Sequence, residues 1–477
     1  MVNSVISKSE TFPPAPTVHT RHRTRVTTSP VTDSWALAVP PTKKSTPRGR
    51  PVATRMIIGY LRSLLFLGSS ASVSCAMRVE DRARARVGEM ETGCGAGQKL
   101  EEEEAPAAQR EREREWEEAA EAVAYDSCTW PPPVVAVCGP GNSGKSAFSR
   151  LLLNTLIDRY KKVGYLDIDV GQPEFTPPGF VSLHVFEEKP KDLTILYLRN
   201  PKRCFFFGDI CAKRNPKLLL TYIFGLHDYF LQEFYCLGEV GNPKKSAIPL
   251  VINTSGWVKG TGLQVLTDML KYVSPSHVIR VSTIVERKNL PGGMFWMNEG
   301  EGDSSVNVVE IPAAQNSPRH MLAKKEARIM RDLRLIAYFR QCLPREFPVF
   351  CFDDLVQGFG SIHPFRLPLS KIHVIDLHCQ VSLSGTDVQR FLNGTIVGVA
   401  TNDPPPLSTE CSTPCCIGLG FIKAIHISED CIHLITPVSH KLMEKVDILL
   451  LSSIAVPSCL LQASDTLTDI TDRLREL

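Results

Sequence analysis

The sequence has no long uninterrupted apolar run and no strong excess of charge of either sign. None of its apolar stretches reaches the ~18 residues that a bilayer-spanning helix requires, so we expect no transmembrane helix and no membrane partner. The 477 residues include 54 basic and 51 acidic side chains, which leaves a net charge of +3. This balance excludes a uniformly basic protein that coats nucleic acid, so any contact with nucleic acid must come from a local patch.

Regularly spaced cysteine pairs are also absent. The 15 cysteines are odd in number and mostly occur singly, and Cys138, Cys351 and Cys431 lie in apolar runs. The disulfide framework of a secreted domain would show an even number of cysteines at compact spacings. The cysteine pattern therefore indicates reduced thiols in an intracellular protein.

Acidic residues are almost missing from the first 60 positions, where Glu10 and Asp33 are the only two. This Ser-, Thr-, Pro- and Arg-rich stretch resembles a transit peptide and has too few apolar residues to offset the entropy of ordering. The apolar stretch 56–77 is either a targeting signal or a run without a role in the working protein. The acidic stretch 101–121 predicts a solvated, partly helical linker. We therefore expect residues 1–130 to form a disordered, low-complexity N-terminal region.

From residue 131 onward, strand-like and helix-like patterns alternate. Short apolar runs predict buried strands, which lie at 134–138, 163–169, 193–198, 248–253 and 277–282. Apolar residues with helical spacing predict a helix after the first run and further helices at 217–234, 263–273 and 322–340. Such alternation is typical of a doubly wound, mostly parallel α/β sheet, which we assign to residues 131–345. Beyond it, short alternating strands between Pro, Gly and Asp turns predict a separate, mainly-β C-terminal domain at 346–477.

A glycine-rich segment follows the first predicted strand and precedes the first predicted helix. Its sequence GPGNSGKS matches the pattern G-x-x-x-x-G-K-[ST] in full, which predicts a P-loop NTPase fold. Glycines let several backbone N–H groups turn toward a polyphosphate, and the helix N-terminus adds partial positive charge. We expect Lys145 to bridge the β- and γ-phosphates of ATP and the Ser146 hydroxyl to ligate Mg²⁺. The predicted ATP-binding residues are Gly139, Pro140, Gly141, Asn142, Ser143, Gly144, Lys145 and Ser146.

The second predicted strand ends in two aspartates. Asp167 and Asp169 are two residues apart, so in an extended chain they point to the same side. One such carboxylate can hold Mg²⁺ or its water, while the other takes the proton of an attacking hydroxyl. We assign Asp169 as the base and Asp167 as an assisting residue and metal ligand, and the reverse assignment stays open. Gln172 could hydrogen-bond the acceptor.

A GTPase would use the same phosphate-binding loop, but its other motifs are absent. The chain has no N-K-x-D sequence for reading guanine, and the spacing from Asp167 to Gly171 does not give the D-x-x-G of a switch loop. These absences argue against a GTPase.

Three sequence elements together resemble the polynucleotide 5′-hydroxyl kinases of RNA processing. They are GPGNSGKS, YLDIDVGQPEFTPPG and INTSGWVKGTG, and the sequence CIGLGFIKAIHISEDCIHLITPV is similar to the nucleolar, ribosomal-RNA-processing branch of that family. The resemblance covers about residues 131–465. It implies transfer of the ATP γ-phosphate to the 5′-hydroxyl of RNA. For the nucleolar branch it also implies a location in the nucleus and nucleolus, pre-rRNA spacer processing and a complex with a pre-rRNA endonuclease.

The third element places a tryptophan beside glycines and a lysine. An exposed Trp257 can stack an unpaired terminal base of any identity, and Lys259 can contact a phosphate. Together with Gln172 and Thr254, these residues form the predicted RNA-binding set. The other interpretation of Trp257 is a packed core residue.

Family members also close the active site with a lid helix that bears arginines. Arg328, Arg331 and Arg334 have three-residue spacing in the predicted helix 322–340, so they lie near one helical face. The resemblance implies that Arg331 or Arg334 neutralises charge on the transferring phosphoryl group. A solvated basic face is the alternative.

The sequence also departs from the family. Its members usually carry a β-rich domain before the P-loop, whereas the first 130 residues here lack that pattern, and the loop interior 140–143 is not the commonest family sequence. Two other functions stay open: an ATP-bound assembly scaffold of an RNA-processing complex with little turnover, and an unrelated small-molecule kinase. The retained aspartates and arginines favour the active RNA kinase.

Overall fold

The elements that position the site lie in the described part of a computed structural model. It describes residues 105–126, 131–190, 198–235, 247–297, 306–314, 320–379, 381–383, 392–402 and 414–463. The basic stretch 1–60, the apolar stretch 56–77 and nearly all of the predicted strand 193–198 lie outside these residues. None of the helices within the described ranges is both long and apolar enough to cross a bilayer.

A seven-stranded sheet carries the phosphate-binding loop. Its strands are β1 (Val134–Cys138), β2 (Val163–Asp167), β3 (Phe180–Phe186), β4 (Arg203–Phe206), β5 (Leu250–Asn253), β6 (His277–Ser282) and β7 (Asn307–Pro312). They lie in the order β4-β3-β2-β5-β1-β6-β7. The neighbouring strands β2, β5, β1, β6 and β7 run parallel, whereas β3 pairs in antiparallel fashion with both β2 and β4. The predicted mostly parallel sheet is confirmed, although the sequence analysis missed β3, β4 and β7.

Helices cover both faces of this sheet. In chain order the long helices are α1 (Ala105–Asp126), α2 (Lys145–Tyr160), α3 (Pro216–Phe234), α4 (Thr261–Val273) and α5 (His320–Arg340). Helices α3 and α4 bury side chains such as Leu226 and Met269 against one face, in the same cluster as Ala136 of β1. Helices α1 and α2 pack on the other face with Val135. Because both faces are covered, every residue of β1 is buried, which explains its uninterrupted apolar sequence.

The acidic segment before the sheet is a packed helix and not a solvated linker. One face of α1 buries Trp116, Ala120 and Val123 in the cluster that also contains α2, while Arg114 and Glu118 form an exposed ion pair. The expectation of disorder throughout 1–130 is therefore wrong for residues 105–126. The buried residues recur at helical spacing, but the many charged residues between them conceal this stripe in the sequence.

The C-terminal domain is built on a second seven-stranded sheet. Its strands are β8 (Phe365–Pro368), β9 (His373–Asp376), β10 (Val381–Leu383), β11 (Ile396–Thr401), β12 (Cys415–His426), β13 (Cys431–Ile435) and β14 (Ile448–Leu450). They lie in the order β10-β9-β14-β11-β12-β13-β8; β9 and β14 pair in parallel, and the other described pairs are antiparallel. Three short helices accompany this sheet: α6 (Phe352–Gly360), α7 (His440–Met443) and α8 (Ser458–Gln462). The predicted mainly-β C-terminal domain is confirmed.

One apolar cluster joins the first sheet, helix α5 and the second sheet. Phe206 of β4, Phe339 of α5 and Phe421 of β12 are all buried in it. Leu335 and Ile336 of α5 belong to the same cluster. The second half of α5 is therefore held in a core between the two sheets, which differs from a lid that swings freely.

Candidate active site

The phosphate-binding loop connects β1 to α2 at the carboxyl edge of the first sheet. Asn142 and Gly144 have φ angles of +61° and +94°, left-handed values that curl the loop. A Cβ on Gly144 would lie 2.7 Å from the ring of Trp116, so this position also needs glycine for space. The loop is thus tightly curled between β1 and α2, and Trp116 of helix α1 packs against it.

Lys145 begins α2 and is buried inside this loop. Its Nζ donates a hydrogen bond to the carbonyl oxygen of Pro140 over 2.8 Å. Burial lowers the pKa of Lys145, and the negative charge of Asp169 opposes that shift. A bound polyphosphate would supply the counter-charge and hydrogen-bond acceptors that a buried ammonium group requires.

Asn253 links the two predicted metal ligands. It ends β5 and lies opposite Asp167 in the parallel register of β2 and β5. Its Nδ2 is 3.1 Å from Asp167 Oδ1 and 3.2 Å from Ser146 Oγ. The sequence analysis gave Asn253 no role. Asn253 could have been recognised in the sequence as a polar residue at the end of a buried strand that neighbours the P-loop strand.

Asp167 and Asp169 differ in burial and in their partners. Asp167 is fully buried and accepts hydrogen bonds from the backbone N–H groups of Asp169 and Glu174, over 3.2 Å and 2.6 Å. Burial, together with the charges of Asp169 and Glu174, raises the pKa of Asp167 to about 7, against the lowering effect of its backbone hydrogen bonds. Asp169 is half-buried in the loop beyond β2, where its Oδ1 accepts from the N–H groups of Gly171 and Gln172.

Helix α5 directs arginines toward these carboxylates. Arg334 is buried, and its charge interacts with Glu174 and Asp167, while Arg331 is half-buried and interacts with Asp169. Burial lowers the pKa of both arginines. Arg334 Nε has no hydrogen-bond partner among the described residues. Arg328 is exposed, so the expected common face of three arginines is divided between the site and solvent.

Two further residues complete this charged group and were missed from the sequence. Arg150 of α2 forms an ion pair with Glu174 over 3.2 Å, and both side chains are largely buried. Glu174 could have been noticed because it lies in the distinctive sequence GQPEFTPPG. No sequence feature marks Arg150, because its partner is 24 positions away in the chain. The pair fixes the start of the segment that supplies a backbone N–H to Asp167.

The loop after β5 touches the phosphate-binding loop. A Cβ on Gly256 would lie 2.4 Å from the Cα of Gly141, so the two loops meet through glycines. Thr254, predicted to bind RNA, is buried, and its Oγ1 donates to the carbonyl oxygen of Val137 over 2.7 Å. Thr254 therefore fastens β5 to β1 through its hydroxyl group.

Trp257 is half-buried and not freely exposed as expected. Its indole ring lies against Gly262, where a Cβ would come within 2.4 Å of the ring, and Lys213 Nζ lies over the ring at 5.7 Å from its centroid. Leu266 and Met269 line a small apolar cavity beside it. Trp257 thus combines the two interpretations, because its ring packs partly against the core and also lies beneath the exposed Lys213.

The remaining predicted RNA-binding residues also have defined places. Lys259 is exposed, and its Nζ donates to the carbonyl oxygen of Asn289. Gln172 is half-buried on the Asp169 loop, at the same edge of the sheet as the phosphate-binding loop. The structure therefore brings Gln172 and Trp257 toward the phosphate-binding loop, and it leaves Lys259 at the periphery.

The side chains at this edge are suited to Mg²⁺. The hydroxyl of Ser146 and the carboxylate of Asp167 are hard oxygen ligands, which this cation prefers. The raised pKa of Asp167 arises from burial and from the neighbouring charges of Asp169 and Glu174. A divalent cation would compensate this local concentration of negative charge.

Family models match most of the described chain. A model of the mRNA cleavage and polyadenylation factor CLP1 P-loop matches residues 139–341, and a model of the NOL9-like C-terminal domain matches residues 360–457. Two solved structures of Clp1p with Pcf11p cover 71% of this chain and 78% of theirs, with a TM-score of 0.50 and identities of 14% and 15%. At such identities the likeness shows the fold alone.

Curated relatives are more similar in sequence. Polynucleotide 5′-hydroxyl-kinase NOL9 of Arabidopsis thaliana is 44% identical over 357 residues, which make up 73% of this chain and 92% of that protein. NOL9 of Homo sapiens is 26% identical over 383 residues, 69% of this chain and 50% of that protein. The chain therefore spans nearly the whole plant relative and about half the length of the human one. On the strength of this match, the chain belongs to the NOL9-type polynucleotide 5′-hydroxyl-kinase family.

Proposed function

We propose that this protein is an ATP-dependent polynucleotide 5′-hydroxyl kinase that transfers the γ-phosphate of ATP to the 5′-hydroxyl of RNA. The observation that carries the proposal is the meeting of three loops at one edge of the sheet. Asn253 joins Ser146 of the phosphate-binding loop to Asp167, and Gly256 places the Trp257 loop in contact with Gly141. A phosphate donor and a base-stacking acceptor thus have adjacent sites.

The roles of the residues follow from their positions. Lys145 and the backbone N–H groups of the loop hold the phosphates of ATP, and Ser146 and Asp167 hold Mg²⁺. Mg²⁺, when bound, neutralises phosphate charge. Asp169 is half-buried and takes the proton of the RNA 5′-hydroxyl, whose oxygen bonds to the γ-phosphorus as the bond to the β-phosphate oxygen breaks.

The arginines of α5 neutralise charge on the transferring phosphoryl group. Arg334 is buried with an unpartnered Nε, and Arg331 lies close enough to interact with Asp169. Such pre-positioned charges stabilise a transition state because they need no reorganisation during the reaction. Since α5 packs between the two sheets, we propose that Arg334 is fixed in place and that closure involves the less buried Arg331.

The cellular role that we propose is pre-rRNA spacer processing in the nucleolus, within a complex that includes a pre-rRNA endonuclease. The support is the match to the NOL9-like C-terminal domain and to proteins named NOL9. An endonuclease that leaves a 5′-hydroxyl end would supply the acceptor that this kinase consumes.

The function is tested by incubating the purified chain with ATP labelled at the γ-phosphate, with and without Mg²⁺. Acceptors are RNA and DNA oligonucleotides with 5′-hydroxyl ends, and the same RNA already phosphorylated at its 5′ end. Label should appear on the 5′-hydroxyl RNA alone or on both 5′-hydroxyl acceptors, and not on the phosphorylated control. The Lys145→Ala variant should transfer no label. ATP binding without transfer to any acceptor would contradict the kinase and favour the assembly scaffold.

A further inference from the structure

Lys213 covers part of the tryptophan that we assign to the terminal base. It lies between β4 and α3, its side chain is exposed, and its Nζ is 5.7 Å from the centroid of the Trp257 ring. The ring also rests against Gly262, whose backbone belongs to helix α4 and cannot withdraw. A base that stacks on Trp257 must share the ring with these neighbours, and Lys213 is the neighbour whose exposed side chain can move aside.

The contact that holds Lys213 over the ring is easily exchanged. A cation over an aromatic face is weakly held where the side chain is exposed to water. Two nearby basic residues have other contacts: Arg214 lies 3.7 Å from the carboxylate of Asp209, and Lys259 donates to the carbonyl oxygen of Asn289. Lys213, by contrast, pairs with a ring that the substrate itself would occupy.

The acceptor has a particular charge pattern at its 5′ end. Because the terminal hydroxyl carries no phosphate, the first negative charge of the RNA is the phosphodiester between its first and second nucleotides. A base stacked on Trp257 brings that group close to the ring. An ammonium displaced from the ring can then form a charge-assisted contact with it.

We propose that Lys213 is an RNA-binding residue that leaves the Trp257 ring when the terminal base stacks there and then contacts the first phosphodiester of the RNA. This inference rests on the proposed function and extends it to substrate choice. The contact strengthens the binding of a polynucleotide relative to that of a free nucleoside, since a nucleoside has no such phosphodiester.

The test is a binding titration of the full chain with 5′-hydroxyl single-stranded RNA labelled at its 3′ end, at several salt concentrations. Lys213→Ala should bind RNA several-fold more weakly, and its plot of log affinity against log salt should be shallower by about 0.7, the value for one lost single-strand phosphate contact. Lys213→Arg should restore binding. Lys217→Ala is the matched control, because Lys217 is also exposed and lies four residues further along; its affinity and slope should equal those of the unmodified protein.

An RNA with a modified first linkage tests which phosphate Lys213 contacts. Replacing only the first phosphodiester by a neutral methylphosphonate should weaken binding to the unmodified protein and leave binding to Lys213→Ala unchanged. The inference is overturned if Lys213→Ala binds RNA as tightly as the unmodified protein or more tightly, since the lysine would then merely cover the ring. An equal loss in Lys217→Ala would overturn it as well, because the attraction would be diffuse. In either case, transfer of label to 5′-hydroxyl RNA would leave the kinase assignment standing.

Discussion

Ser453 in the C-terminal domain donates its hydroxyl to Oδ2 of Asp209 in the kinase domain over 2.5 Å. The backbone N–H of Ser453 also donates to the carbonyl oxygen of Gly208 over 2.9 Å. Asp209 is buried, and its other oxygen accepts from the N–H of Cys211. The C-terminal domain therefore holds the turn from which the Lys213 segment begins.

Replacing Ser453 by Ala should weaken this contact between the domains. Loss of a hydrogen bond to a buried carboxylate costs about 1–3 kcal/mol, so the melting temperature should fall. Because the released turn leads to Lys213, the KM for RNA should rise while the KM for ATP stays the same. Thermal melting and steady-state kinetics measure these effects.

Ser452→Ala is the control for that experiment. Ser452 Oγ donates to the carbonyl oxygen of Ile396 over 2.6 Å, a contact within the C-terminal domain. This variant should lower the melting temperature without changing the KM for RNA. If both serine variants have the KM of the unmodified protein, the Ser453 contact is structural only.

Helix α1 should be required for a working phosphate-binding loop. Trp116 Nε1 donates to the carbonyl oxygen of Pro312 over 2.8 Å, and its ring packs edge-on against Phe148 and touches Gly144. Trp116→Ala should destabilise the protein by about 3–5 kcal/mol, as other large core truncations do, and should weaken ATP binding. Trp116→Phe should recover most of the stability, because it refills most of the space. Unfolding by urea and ATP titration measure the two effects.

A pair of truncations separates helix α1 from the residues before it. A chain that starts at Met77 keeps α1 and should phosphorylate RNA as well as the full chain does. A chain that starts at Pro131 lacks α1 and should be poorly soluble or inactive. Full activity of the shorter chain would contradict the role of α1.

The two aspartates should be distinguishable by substitution. Asp169→Asn keeps an oxygen for the two backbone N–H groups, so ATP binding should persist while phosphate transfer falls by orders of magnitude. Asp167→Asn should instead raise the Mg²⁺ concentration needed for ATP binding. Binding titrations and single-turnover transfer measure both. The opposite pattern would make Asp167 the base and Asp169 the metal ligand.

Acid should destabilise the fold partly through His184. This side chain is buried between Phe175 and Phe186, and burial, with repulsion from Arg199, lowers its pKa from 6.5 to about 3. The unfolded chain binds a proton below about pH 6.5 whereas the folded chain does not, so the stability from neutral His184 is present above that pH and is lost as the pH falls toward 3.

The measurement is the free energy of unfolding at pH 7.5 and pH 5. His184→Gln cannot take up this proton, so it should lose less stability over that interval than the unmodified protein. The exposed His363 provides the control, and His363→Gln should follow the unmodified protein. Equal losses in all three proteins would show that His184 takes up the proton in the folded state as readily as in the unfolded state.

Local patterns predicted the elements whose signal is confined to a short stretch of sequence. The run at 134–138 matches β1, and the predicted helix 217–234 differs from α3 by one residue at its start. The strands β3 and β4 were missed because they form an antiparallel addition to a parallel sheet, without helices between them to mark their ends. A partly helical segment was expected at 101–121, but its packing against the sheet was missed because charged residues outnumber the apolar residues of α1.

The phosphate-binding loop, the mostly parallel sheet and the position of the two aspartates could all be predicted from local sequence patterns. These features depend on residues that are neighbours in the chain, so glycine spacing and apolar periodicity reveal them. Only the folded chain shows that Asn253 lies opposite Asp167, that the charge of Arg334 interacts with Glu174 and that Lys213 lies over Trp257. Each of these pairs is separated by more than forty positions in the chain, and strand register and helix packing bring its members together. A local sequence pattern cannot predict these contacts. They form because the helices and strands pack together to bury the apolar surface of the sheet.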